Sequence, residues 1–152
     1  MDPERLEQAA RQYETTLYRA ALAILGDAAE AENAVQDAFL KYWEKAPAFE
    51  SPGHEKAWLL RVTVNGCRSR LRSPWRRRAP LLESFPAPGP EERAAIEEVL
   101  ALPPRDRAVI HLHYYEGYQT AEIAAMTGEA EGTVRSRLSR ARAKLRIMLE
   151  EC

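Results

Sequence analysis

Residues 116–146, EGYQTAEIAAMTGEAEGTVRSRLSRARAKLR, decide the fold of the C-terminal half. Ala124 is small enough for a helix crossing, Gly128 four positions on suits a left-handed turn, and Val134 six beyond that is an apolar plug beneath a second helix. This is helix-turn-helix geometry. The second helix, expected over about 131–149, carries Val134, Leu138, Leu145 and Met148 at mostly helical spacing. Arg135, Arg137, Arg140, Arg142, Lys144 and Arg146 fall outside that stripe. Six cations on a polar face suit a DNA major groove. A solvated amphipathic helix would also carry them, but the turn and the preceding helix favour DNA.

Upstream, PEERAAIEEVLALPPRDRAVIHLHYYEGYQT (90–120) implies a helix ending at Leu102, a break at Pro103 and Pro104, and a helix over about 104–115. Proline is tolerated in a first helical turn because its missing N–H would be unpaired there anyway. Gly117 then closes the helix. Residues 73–90, SPWRRRAPLLESFPAPGP, hold five of the ten prolines, one glycine and no helical period. They form the expected linker, which leaves modules at 1–72 and 91–152, each large enough for a few packed helices.

The N-terminal module is also helical by pattern. Over 3–25, Leu6, Ala9, Ala10, Tyr13, Leu17, Ala20, Ala21 and Ile24 recur at three- or four-residue spacing, and Gly26 with Asp27 ends one helix and starts another. The next, about 28–45, places Ala31, Val35, Ala38, Phe39 and Tyr42 inward with Trp43 at the margin, and Pro47 stops it. After the loop AFESPGHE (48–55), a third helix over about 56–72 offers Trp58, Leu59, Val62, Cys67 and Leu71 to the core. No useful stretch alternates with period two, so the expected fold is all-α: two small helical domains joined by a proline-rich linker.

Composition narrows the function classes. The 152 residues allow one ordinary domain or two very small ones, and no apolar run approaches the ~18 residues of a membrane span. The polar start MDPERLEQAA argues against a signal peptide. Cys67 and Cys152 show no CxxC spacing, and His54, His111 and His113 complete no zinc pattern, so neither metal nor cofactor is expected and a reducing, cytoplasmic compartment follows. No nucleophile–base pair or glycine-rich phosphate loop points to an enzyme.

A net charge of -1 argues against a nucleic-acid partner until its distribution is considered. Residues 1–57 hold 6 basic and 11 acidic side chains, 58–79 hold 7 and none, 80–131 hold 3 and 10, and 132–152 hold 6 and 2. Each basic block is a candidate phosphate surface, and the acidic blocks suit solvent or a basic protein partner.

LPPRDRAVIHLHYYEGYQTAEIA (102–124) through EGTVRSRLSRARAKLR (131–146), with ENAVQDAFLKYWE (32–44) followed by WLLRVTVN (58–65) and a basic helix end, resembles the extracytoplasmic-function (ECF) sigma factors. These are two-domain bacterial transcription initiation factors, and the resemblance covers 5–72 and 91–149. It implies that the first module binds RNA polymerase core at the clamp helices and melts the −10 promoter element. The second would read the −35 element and meet the polymerase flap, with an anti-sigma factor as a further partner.

Residue by residue, Glu32, Gln36 and Asp37 lie off the apolar face of their helix, where they would meet polymerase; a solvated face would look the same. Asn65 occupies the position of the family's −10-reading asparagine, and its amide can donate to and accept from an extruded base. Phe49 would supply the pocket's apolar wall, with ordinary core packing as the alternative. Arg61, Arg68, Arg70 and Arg72, with Trp75 and Arg76 to Arg78 beyond, would follow the single strand by charge and stacking. On the −35 side the resemblance selects Arg135, Ser136, Ser139 and Arg140. Arg135 or Arg140 is the expected guanine reader, Arg137, Arg142 and Lys144 meet phosphate or solvent, and Thr120 and Glu122 approach the backbone.

The sequence departs from the family where an apolar residue and a serine usually stand before the recognition helix, having Glu129 and Ala130 instead. Loss of a serine N-cap costs about 1 kcal/mol. Glu129 is further expected to remove a core contact and to place negative charge beside DNA, leaving the helix weakly anchored. Two other readings remain open at this point: a sigma-like mimic that occupies an anti-sigma factor, and a dimeric helix-turn-helix regulator of duplex DNA.

Overall fold

The computed structural model describes residues 1–73 and 99–151, the last six by backbone alone. The expected linker after Ser73, most of the helix expected before Leu102, Trp75, Arg76 to Arg78, and the side chains of Arg146 and Met148 lie outside the described residues. Those described form helices and no strand. They are α1 (Pro3–Leu25), α2 (Ala28–Lys45), α3 (Pro52–Leu71), α4 (Pro104–Ile110) running into a π-helix (His111–Tyr115), α5 (Thr120–Thr127) and α6 (Glu131–Glu151). The chain divides into two compact units, Met1–Arg78 and Ala79–Cys152.

In the first unit α1, α2 and α3 pack against one another in all three pairings. Caps set their limits. Asp2 accepts from the Arg5 N–H at 2.8 Å, and Pro3 occupies the first turn. Gly26 ends α1 at φ 70, a left-handed conformation open to glycine, and donates to the Leu22 carbonyl. Asp27 then accepts from the Glu30 N–H at 2.9 Å and starts α2.

The third helix begins at Pro52 rather than near Lys56. Ser51 accepts from the His54 N–H, and Pro52 stands in the first turn, so the SPGH tetrapeptide is a helix start and not a loop. Its buried face also differs from expectation. Leu59, Leu60, Thr63, Val64 and Cys67 are buried, while Trp58, Val62 and Leu71 are only half-buried. Thr63 can sit inward because its hydroxyl donates to the Leu59 carbonyl at 2.8 Å, leaving no unpaired polar group. Against this face pack Leu17, Ala20, Ala21 and Ile24 of α1 and Ala31, Ala34, Val35, Ala38 and Tyr42 of α2.

In the second unit Val109, Leu112, Ile123, Met126, Val134, Leu138 and Ala141 build the core. Ala124, expected at the crossing, is half-buried, and Ile123 and Met126 make the inward contacts. Gly128 takes φ 73 and donates to the Ala124 carbonyl, which fixes the turn between α5 and α6. The helix expected over 104–115 changes pitch in its last part, where the Glu116 N–H reaches back five residues to the His111 carbonyl.

Candidate nucleic-acid interface

On α3 and its C-cap, Arg61, Asn65, Arg68 and Arg72 follow one another at spacings of four, three and four. At 100° per residue they fall with Trp58 inside an arc of about 80°. Arg61, Asn65 and Arg72 are exposed, and Trp58 and Arg68 half-buried. The helix thus presents a stripe with an aromatic ring at one end, an amide in the middle and three cations along it. Such a stripe offers stacking, base-edge hydrogen bonding and phosphate neutralisation in one line.

Arg70 does not belong to it. Five residues beyond Asn65, it points about 140° away, and its Nη2 donates to Asp37 Oδ2 of α2 at 2.7 Å. Arg70, expected in the strand-following set, is instead tied in this structure to Asp37, a residue assigned on sequence to polymerase.

Phe49 lies half-buried in an aromatic cluster. Its ring stacks on Tyr42 with centroids 6.1 Å apart and meets Trp58 at 5.8 Å and His54 at 5.2 Å, while the Arg5 guanidinium lies over the Tyr42 and Phe49 rings. Tyr42 donates to Glu55 Oε2 at 2.7 Å, and burial, followed by this carboxylate, raises its pKa. Contact with Trp58 connects Phe49 to the start of the stripe, about 10 Å along the helix axis from Asn65.

The outer face of α2 carries Glu32, Gln36 and Asp37, all exposed. Beside Gln36 at helical spacing stand Leu40 and Trp43, 60% and 41% exposed. Leu40 was absent from the sequence expectation, although its spacing of four from Gln36 is the signal that locates it. Along one flank a groove of about 560 Å³ opens between α1 and α2, lined among others by Ala10, Glu14, Tyr18, Glu32, Gln36 and Phe39. Burial first, then Glu32 and Asp27, raise the Tyr18 pKa, so the phenol stays protonated beside these acids. An apolar floor with an acidic rim fits a basic partner surface.

On α6 Val134, Leu138 and Ala141 face inward, and Arg135, Ser136, Ser139, Arg140 and Lys144 are exposed. Ser136 and Ser139 form the centre of the outer face, with Arg135 on one side and Arg140 and Lys144 on the other. Arg135 pairs with Glu131 at 3.0 Å, and the same carboxylate oxygen accepts from the half-buried Thr120 hydroxyl at 3.0 Å. Thr120 therefore clasps α5 to α6. Glu122 accepts from the Gln119 N–H at the start of α5. Arg142 donates to the hydroxyl of the exposed Tyr114, another group that the sequence did not single out.

Arg137 is a further correction. Its side chain, only 16% exposed, is directed at Glu129 and Asp106 and away from the solvent face. The expected role at phosphate or in solvent does not fit a guanidinium held by two carboxylates. Nor is Glu129 a loose negative charge beside DNA, since its own side chain is 11% exposed and paired.

Among the described residues no cluster of three or more histidine, cysteine, aspartate or glutamate side chains is placed to hold a metal, and no helix is long and apolar enough to cross a membrane.

Comparison with known proteins identifies the family. Residues 9–77 match the model of Sigma-70 region 2, and 92–145 that of Sigma-70, region 4. The chain is 36% identical over 151 residues to the probable RNA polymerase sigma factor RfaY of Xanthomonas campestris pv. campestris, covering 88% of this chain but only 37% of that one. It is 34% identical over 156 residues to the ECF RNA polymerase sigma factor SigM of Mycobacterium tuberculosis, covering 97% and 79%. Among solved structures, the sigma factor RpoE in complex with the anti-sigma factor NepR from Bartonella quintana superposes with a TM-score of 0.74 at 25% identity, covering 97% and 98%. CnrH in complex with the cytosolic domain of CnrY gives 0.69 at 26%, covering 99% and 90%. The chain belongs to the ECF family of RNA polymerase sigma factors.

Proposed function

We propose that this chain acts in the cytoplasm as a non-enzymatic initiation factor that joins RNA polymerase core and directs it to promoters. Residues 1–72 bind core and open the −10 element, 73–90 link the modules, and 91–152 read the −35 element. The outer face of α2, with Glu32, Gln36 and Asp37 beside Leu40 and Trp43, meets the clamp helices. Asn65 captures a base of the opened strand, while Arg61, Arg68 and Arg72 follow its backbone. In the second module Arg135 and Arg140 reach base edges of the −35 duplex, Ser136, Ser139 and Lys144 line its backbone, and the module also engages the polymerase flap. An anti-sigma factor is the proposed regulatory partner, since RpoE, a sigma factor similar to this chain, is solved in complex with the anti-sigma factor NepR.

The observation that supports this reading best is the α3 stripe, in which an exposed amide stands between arginines on the face turned away from the helical core. A dimeric duplex-binding regulator has no use for that stripe. The mimic reading drew on the missing cap, net acidity and Glu129, and of these Glu129 is held by Arg137. Purified polymerase core and this chain, in run-off transcription on a genomic-fragment template library, should give discrete promoter-dependent transcripts. Core binding without any transcript would replace the initiation reading with the mimic.

A further inference from the structure

Three charged side chains of the second unit meet on the flank of α6 that also carries Arg140 and Lys144. Asp106 lies in the first turn of α4, Glu129 directly follows the left-handed Gly128, and Arg137 projects from the flank of α6. Arg137 donates from Nε and Nη2 to Glu129 Oε2 at 3.1 and 2.9 Å, and from Nη1 to Asp106 Oδ1 at 3.2 Å. The three side chains are 16%, 11% and 5% exposed in the order Arg137, Glu129, Asp106. Burial disfavours the guanidinium charge, but Glu129 and then Asp106 more than offset it and raise the Arg137 pKa, so the group stays cationic.

The geometry has a mechanical meaning. Ala130 precedes α6 and has no side-chain oxygen to cap it, although its carbonyl accepts from the Val134 N–H. A rigid planar fork instead reaches from α6 to the turn on one side and to α4 on the other. Breaking a triad of this kind leaves a buried charge without its partner, so the arrangement resists rotation of α6 about its own axis. Base reading by arginine needs the side chain held to about 0.5 Å and 10–20°. Arg140 follows Arg137 by three residues on the same helix, so any roll of α6 moves it directly.

We infer that Glu129, Arg137 and Asp106 are positioning residues for sequence discrimination, setting the roll of α6 so that exposed side chains meet base edges, and that Arg137 itself makes no DNA contact. This rests on the proposed −35 reading.

The test uses holoenzyme assembled from the full chain and polymerase core. A −35 duplex is first selected by the wild-type holoenzyme from a library randomised at that element, and binding is then compared with a scrambled −35 at two salt concentrations. Glu129→Gln and Arg137→Lys should each reduce the ratio of selected to scrambled affinity about tenfold, with core affinity and salt slope unchanged. Equal losses on both duplexes would make the effect of the triad independent of sequence and overturn the inference. Wild-type holoenzyme that selects nothing at −35 removes the −35 reading and this inference with it. Selection by wild type that both variants retain removes the inference alone. Should either variant fail to fold, the arginine Nε–H resonances of the wild-type chain decide. The Arg137 signal should stay fixed as duplex is added while that of Arg140 moves, and a duplex-induced shift at Arg137 is the contrary result.

Discussion

Reversing the charge of Asp37 tests the assignment of α2 to polymerase, and the structure shows why the single substitution is not enough. Asp37 bonds Arg70 across α2 and α3 at 2.7 Å, with side chains 59% and 28% exposed. Exposed ion pairs contribute about 0.2–1 kcal/mol, and like charges in the same place cost a similar amount. Asp37→Lys should therefore destabilise the first unit by about 1 kcal/mol, lowering its Tm by roughly 4–8 °C. If Asp37 also meets a cation of polymerase, its loss from a desolvated pair costs about 2 kcal/mol or more of affinity, on the order of thirtyfold. Asp37→Lys combined with Arg70→Asp rebuilds the bridge with its polarity reversed. Thermal melts should then return close to wild type, while anisotropy titration of labelled chain with core should still show the thirtyfold loss. Recovery of both together would refute the reasoning, because Asp37 would then serve only to hold α2 against α3. Since Arg70 lies off the α3 stripe, opening of a pre-bound promoter should be little changed by its replacement.

Asn65→Ala should slow open-complex formation on duplex promoter far more than on a template already unpaired at −10, because only the duplex requires base capture; equal loss on both templates in a permanganate-footprinting time course would sink the idea. Arg140→Ala should cost about 1–3 kcal/mol of discrimination at one −35 base pair, whereas Lys144→Ala should weaken all duplexes alike and flatten the salt dependence. Salt-titrated binding to single-base-pair variants separates the two, and interchangeable profiles would contradict both assignments. Tyr42 has its pKa raised above the usual 10.0 by burial and then by Glu55, so its contribution is complete below about pH 10 and is lost as pH rises through the folded-state value. Tyr42→Phe should cost about 1 kcal/mol at neutral pH and soften the alkaline fall in stability, and identical melting-versus-pH curves for the two proteins between pH 8 and 11.5 would show the argument wrong.

How legible the molecule was depended on whether the deciding partner lay nearby in sequence. α1 could be drawn end to end because Asp2 with Pro3 and Gly26 with Asp27 are local signals, complete within three or four residues. Gly128 worked in the same way, since a left-handed turn names its own residue. The start of α3 was missed although Ser51 and Pro52 are equally local, because the proline and glycine of SPGH also fit a loop. Its inward face was misplaced for another reason. Leu60, Thr63 and Val64 stand beside Trp58 and Val62 on a helix that is apolar over a wide arc, and only packing against α1 and α2 chooses among them. The charged residues on helix flanks were least legible. Arg70 and Asp37 are 33 positions apart, and Arg137 and Asp106 are 31 apart. On a helical wheel each of these side chains looks solvated, and a partner from a distant helix makes it structural.

In the turn before α6 a missing local cap stands beside a tertiary ion-pair fork whose value is geometric rather than energetic. Without a serine the helix forgoes a cap of about 1 kcal/mol. The attraction of Arg137 to Glu129 and Asp106 is set against the removal of three charged groups from water, and in buried ion pairs the two nearly balance, so the triad adds little to the free energy of folding. What remains is directional. A serine cap fixes the first turn of a helix relative to its own preceding residue, whereas the fork of Arg137 fixes α6 relative to α4 and to the turn together. Substitutions in the triad should accordingly register first as lost discrimination between −35 sequences, and only weakly as lost thermal stability when charge balance is kept. The Glu129 and Ala130 pair that looked like a weakness in the sequence thus transfers control of the recognition helix from its cap to its flank.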